Sequence, residues 1–145
     1  MKLFLSGCAL LALLVGCQKS PKAGAMAPQA LSQGGSISGQ ITLAPEMMSK
    51  VGPTDTLYII AKKGAGPPLA VKRLANITFP FHYEMTAADV MFPGTPFQGE
   101  VQVVARVDKD GNAGPAQPGD LEGTSTKSPA RVGDGDVNIV INKAY

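Results

Sequence analysis

From Ser36 onward, apolar and polar residues alternate along the chain, the spacing that sends successive side chains to opposite faces of a pleated strand. "SISGQITL" sets Ile37, Ile41 and Leu43 on one face against Ser36, Ser38, Gln40 and Thr42. "TLYIIAK" (56–62) is apolar on both faces and predicts a central strand. "LAVKRLA" (69–75) predicts the next strand, after a turn whose prolines cannot donate to a ladder. In "FPFHYEM" (79–85), Phe79, Phe81, Tyr83 and Met85 face one way and Pro80, His82 and Glu84 the other. "GEVQVVARVD" (99–108) alternates Val101, Val103, Ala105 and Val107 with Glu100, Gln102, Val104 and Arg106, and "DVNIVIN" (136–142) repeats the pattern with Val137, Ile139 and Ile141. Only "TAADVMF" (86–92) predicts a helical turn, with Thr86 as N-cap and Asp89 at the capping-box position.

Strands of about seven residues separated by turn signals, with no long helical period, predict an all-β fold. The expected architecture is an antiparallel Ig-like β-sandwich of about six to eight strands. The label describes architecture alone, because the chain has no Trp and no pair of cysteines left for an inter-sheet disulfide.

Upstream of the alternating region the pattern changes twice. Lys2 precedes an apolar run from Leu3 to Val15 that is shorter than the roughly 20 residues a membrane span needs and fits a secretory signal. The run closes on "LVGC" (14–17), which resembles a bacterial lipobox, so residues 1–16 are expected to be a lipoprotein signal peptide and Cys17 its lipidated residue. The alternative is an ordinary signal peptide with a cysteine there by chance. With Cys8 lost in the signal and Cys17 acylated, no thiol remains for a disulfide. Residues 17–35, rich in Ala, Pro, Gly, Gln and Ser, present no periodic apolar face and read as a tether with a reach of roughly 25 Å. Residues 36–145 then form the sandwich domain. Gln18 is not the Asp that retains many lipoproteins at the inner membrane, so the expected location is the periplasmic side of the outer membrane of a Gram-negative bacterium, with the membrane as partner through the N-terminal lipid.

Charge and composition narrow the function classes. The 13 Lys and Arg against 11 Asp and Glu, scattered along the chain, give no basic run to track a phosphate backbone, which argues against nucleic acid. A blue-copper centre needs two His and a thiolate, and His82 is the lone histidine. His82 falls on a polar face beside Glu84 and reads as solvated. "DKDGN" (108–112) spaces Asp108, Asp110 and Asn112 as in a calcium loop, but the Gly is misplaced and the twelfth position is Gly119, so a turn is expected. "GDGD" (133–136) punctuates the entry to the last strand. Met47, Met48, Met85 and Met91 suit either core filling or an adaptable surface. The expectation is no catalytic residue, metal ligand, cofactor or small-molecule substrate, and thus no enzyme.

Read together, "DTLYIIAKKGAGPPLAVKRL" (55–74), "FPFHYEMTAADVM" (79–91), "FQGEVQVVARVDKDGNAGPAQPGDLEGTS" (97–125) and "VNIVIN" (137–142) resemble the C-terminal periplasmic domain of the cytochrome c-type biogenesis protein CycH, also called CcmI. The resemblance implies an accessory role in c-type cytochrome assembly through protein contact, with apocytochrome c or other assembly components as partners. The family's membrane helices and tetratricopeptide repeats have no counterpart in these residues. An envelope lipoprotein with an Ig-like binding module and no cytochrome link is the alternative.

The segment "GNAGPAQPGDLEG" (111–123) reads as either a structural corner or a docking surface, with Pro115 and Pro118 stiffening it, Gly114 and Gly119 allowing bends and Asp120 able to bond nearby amides. The candidate partner-binding residues are Lys72, Arg73, Arg106, Pro115, Pro118, Asp120 and Leu121.

Overall fold

A computed structural model describes residues 34–112 and 114–145. The signal peptide, Cys17 and the tether up to residue 33 lie outside the described residues. Among the described residues nine strands occur: β1 (Ile37–Leu43), β2 (Thr56–Lys62), β3 (Pro68–Ala75), β4 (Phe81–Met85), β5 (Glu100–Asp108), β6 (Leu121–Thr124), β7 (Ala130–Arg131), β8 (Ile139–Ile141) and β9 (Lys143–Ala144). Six of these fall on the alternating stretches. The remaining three, β6, β7 and β9, are too short or too polar to show a period.

Two sheets carry the fold, a three-stranded one in the order β4-β1-β8 and a larger one in the order β3-β2-β5-β6-β9, with β7 on the start of β5. β2 is central, paired with β3 and β5, and all its residues but Lys62 are buried, as its two apolar faces predict. The sheets face each other through Leu57, Ile59, Val103 and Val107 on one side and Ile37, Ile41, Ile139 and Ile141 on the other, all fully buried. Phe97 is the largest fully buried side chain, and Tyr83 joins the same core. Burial pushes the Tyr83 phenol pKa upward, and its hydroxyl donates to the Val137 carbonyl at 2.7 Å.

One pairing departs from the antiparallel expectation. β1 and β8 run parallel, Ile41 opposite Ile139 and Leu43 opposite Ile141. Alternation within a strand encodes which face is buried and is silent on strand direction, so this feature left no local signal. The two sheets meet where Ser125 bridges to Ile139 and Thr126 N donates to Asn138 O at 2.9 Å. Across the molecule the edge of β3, bridged at Ala70 by Val90, faces that of β4. There Lys72 Nζ donates to Glu84 O at 2.5 Å and sits 3.3 Å from Asp89 Oδ2. Asp89 also completes the capping box of the short 3-10 turn Ala87–Asp89, accepting from Thr86 N while Thr86 Oγ1 accepts from Ala88 N. A second 3-10 helix, Pro45–Lys50, follows β1 and buries Met47 while exposing Met48.

Candidate partner-binding surface

On the outer face of the larger sheet the pairing sets Tyr58 between Arg73 of β3 and Arg106 of β5. The period-two pattern turns Tyr58 away from Leu57 and Ile59, and turns Arg106 away from Ala105 and Val107. The segment following β5 folds back over this face and is fastened to it by side chains. Tyr58 Oη donates to Gly111 O at 2.8 Å and accepts from Arg73 Nε at 3.1 Å. Arg106 Nη1 donates to Gly114 O at 2.9 Å, while its Nε and Nη2 donate to Glu122 Oε2 at 3.1 and 2.7 Å. Glu122 Oε1 in turn accepts from the Tyr145 hydroxyl at 2.9 Å.

The ends of the segment are held by two buried carboxylates. Asp108 Oδ1 accepts from Gly111 N at 2.6 Å and Asn112 N at 3.0 Å, and Gly111 takes the positive φ that the bend requires. Asp120 Oδ1 accepts from Lys109 N at 3.1 Å and its Oδ2 from Gln117 N at 2.8 Å. The terminal strand closes the base, with Gly119 N donating to Tyr145 O and Tyr145 N to Asp120 O. Lys109 Nζ pairs with Asp55 Oδ2 at 2.5 Å and also donates to Lys50 O. Asp108 and Asp110 thus spend their carboxylates on backbone amides, as the turn reading expects.

The sequence-predicted surface residues separate into three groups. Arg73 and Arg106 share the outer face and fasten the loop. Pro115 and Pro118 are exposed on it and remain available for contact. Lys72, Asp120 and Leu121 leave that surface. Lys72 is adjacent to Arg73 in sequence and therefore points to the opposite face, toward Asp89. Asp120 is 1% exposed and engaged with amides, and Leu121 is fully buried in the core as the first residue of β6. Tyr58, Glu122 and Tyr145 complete the arrangement and were missed from sequence. The alternation of "TLYIIAK" carries the orientation of Tyr58, whereas Glu122 and Tyr145 are recognisable only once β6 and β9 pair.

Elsewhere, His82 is exposed, its Nε2 3.1 Å from Gln40 Nε2 in a shallow polar groove of about 390 Å³ on the smaller sheet. A groove of about 360 Å³ between Leu43, Met48, Ile77 and Phe79 is apolar. The methionines divide between the two roles: Met47 and Met85 are buried, Met48 and Met91 exposed.

Burial raises the Asp108 pKa above the ordinary carboxylate value, opposed by the bond from Gly111 N and reinforced by the neighbouring carboxylates of Asp120 and Asp110. A folded-state pKa above the unfolded one means that the folded protein holds this proton more firmly. The stability so contributed is fully present below the unfolded pKa and is lost as pH rises through the folded one. Asp108→Asn, which keeps an oxygen for Gly111 N and Asn112 N without the charge, is expected to be more stable than the wild type at neutral pH. The gap should close as pH falls toward the carboxylate range, measured as urea midpoints across a pH series. Asp108→Ala removes the acceptor and is expected to cost about 1–2 kcal/mol.

A family model and one relative point to the same module. A family model described as the cytochrome c-type biogenesis protein H Ig-like domain matches residues 37–142. An uncharacterized protein of Aquifex aeolicus is 32% identical over 111 residues, covering 75% of this chain and 71% of that protein. The cytochrome c-type biogenesis protein CycH of Pseudomonas aeruginosa is 33% identical over 92 residues, covering 60% of this chain and 23% of that much longer protein. Among solved structures, an alternative pilotin from the type II secretion system of Vibrio cholerae aligns with a TM-score of 0.44 at 9% identity, over 75% of this chain and 97% of that one. With the family model spanning all but the short last strand of the sandwich, the chain belongs to the family of the cytochrome c-type biogenesis protein H Ig-like domain.

Proposed function

We propose that this protein is a non-enzymatic accessory factor of c-type cytochrome biogenesis, anchored by lipid at Cys17 on the periplasmic side of the outer membrane and acting by protein contact. The match of residues 37–142 to the CycH Ig-like family carries the reading. The geometry supports contact as the mode of action, because the 109–120 segment is fastened at both ends by Asp108 and Asp120 and along its course by Tyr58 and Arg106. A surface ordered before a partner arrives forfeits little entropy on binding. Pro115 and Pro118 are its exposed rigid elements.

Two measurements test this. The purified lipoprotein is cross-linked to an apocytochrome c with its C-x-x-C-H motif intact, to the holo form, and to the other assembly components in turn. Preference for the apo form or capture of an assembly component supports the reading, and indifference to all of them rejects it. Replacing both Pro115 and Pro118 by Gly frees the loop, which is expected to weaken the captured complex roughly tenfold. An unchanged affinity would remove the loop from the interface.

A further inference from the structure

The smaller loop before β5 carries a feature that the partner surface does not use. Met91 and Phe92, consecutive in sequence, are 52% and 59% exposed, whereas Leu69 and Phe97 beside them are buried. Their presentation is rigid on both sides. Met91 N donates to Leu69 O at 3.0 Å, continuing the bridge between Val90 and Ala70 at the β3 edge. Phe92 O accepts from Thr95 N at 3.1 Å across Pro93 and Gly94, with Gly94 at φ +83, a tight turn of the type that Pro-Gly favours. Phe97 then anchors the far side in the core at 0% exposure. The result is a short apolar tip on a fixed base.

The position of the tip within the fold indicates what covers it. Gly34, where the described chain begins, bridges in parallel to Phe97, the anchor of the tip. The polypeptide leading back to Cys17 therefore leaves the domain at the end where Met91 and Phe92 project. The start of β1, the end of β2 and the start of β5 share that end. The opposite end carries the 3-10 helix Pro45–Lys50 and the 109–120 loop.

We propose that the Met91–Phe92 tip is a second membrane contact: with Cys17 acylated, the domain rests tip-first on the lipid surface and the two side chains enter the headgroup-acyl boundary. The several acyl chains of a lipidated lipobox cysteine supply attachment by themselves. The tip adds apolar contact and, more distinctively, fixes orientation. The 109–120 loop lies at the other end of the strands, so a docked domain holds its partner surface away from the bilayer. This inference rests on the lipid-anchored reading above.

The chain has no tryptophan, so Phe92→Trp creates a single emitter in the full-length lipoprotein. The protein is reconstituted into phosphatidylethanolamine and phosphatidylglycerol vesicles with plain or brominated acyl chains. Expected for Phe92→Trp are a blue-shifted emission and a loss of roughly half its intensity on brominated lipid, and Met91→Trp should behave alike. Met48→Trp, at the opposite end, should emit as a water-exposed indole in both vesicles. Equal emission of Phe92→Trp in both, equal quenching of both ends, or shielding that appears only when apocytochrome c is added overturns the assignment. The mass of the purified chain reports acylation of Cys17 separately. If it is absent, the anchored reading fails, and the same reporters on unacylated protein mixed with vesicles still decide the tip: quenching at Phe92 supports it and none overturns it.

Discussion

Phe97→Ala is expected to destabilise the domain by about 3–5 kcal/mol, the range for truncating a fully buried aromatic side chain. Phe97 is the largest described residue with no exposure, and its neighbours Pro96 and Gln98 are both exposed. For a domain of roughly 110 residues this lowers the melting temperature by roughly 15 °C or more. Thermal unfolding followed by circular dichroism reads it directly. Phe97→Leu preserves most of the volume and should lose less than half as much. A melting temperature for Phe97→Ala within a few degrees of wild type would mean that the ring does not occupy the core. The effect reaches beyond stability, because Phe97 fixes one side of the Phe92 turn and bridges to Gly34. The variant should blur the exit of the chain and the tip together, raising proteolysis between residues 91 and 99 ahead of global unfolding.

The same residue marks where local pattern stops being informative. Strands long enough to alternate were legible, and their inward residues Ile37, Ile41, Val103 and Ile139 were identified by parity alone. Phe97 lies outside any strand, beside Gly99 at φ +83, and owes its burial to a contact with Gly34 that is distant in sequence. Strand β6 is hidden for a related reason. Its four residues include Glu122 and Gly123, and its pairing depends on a turn-rich segment returning to β5. What the alternation supplied was a set of faces; which face meets which is decided by long-range closure.

The candidate surface was legible in the same partial way. Asp120 bonding to nearby amides and the positive φ of Gly111 follow from turn chemistry that short sequence displays. Lys72 and Arg73 were grouped because they are adjacent, although the period that defines β3 already separates them to opposite faces. Grouping charges by distance along the chain overlooks the pleat. The arginines then prove to be fasteners: Arg73 and Arg106 are bonded to Tyr58, Gly114 and Glu122. Their role is to shape the surface, on which Pro115 and Pro118 are exposed.

Gly39→Ala is expected to cost about 3 kcal/mol, at the upper end for overpacking, and the reason is a single oxygen. Gly39 stands in β1 opposite Tyr83 of β4, between the inward-facing Ile37 and Ile41. A Cβ there would lie 2.2 Å from Val137 O and 2.5 Å from Val137 C, backbone atoms that have no flexible end to swing aside. That oxygen is the acceptor for the buried Tyr83 hydroxyl. Moving the 137 segment to admit a methyl group therefore breaks a buried hydrogen bond and disturbs the N–H of Val137, which donates to Ser38 O at 2.9 Å. The two losses share one cause, and a double-mutant cycle exposes it. Tyr83→Phe alone should cost about 1–2 kcal/mol, because it strands the buried carbonyl. In the Gly39→Ala background, where the bond is already lost, the same change should cost much less. Full additivity in urea unfolding would show that the methyl group is absorbed without moving Val137, and that the missing side chain at residue 39 is not what lets the smaller sheet close over the core.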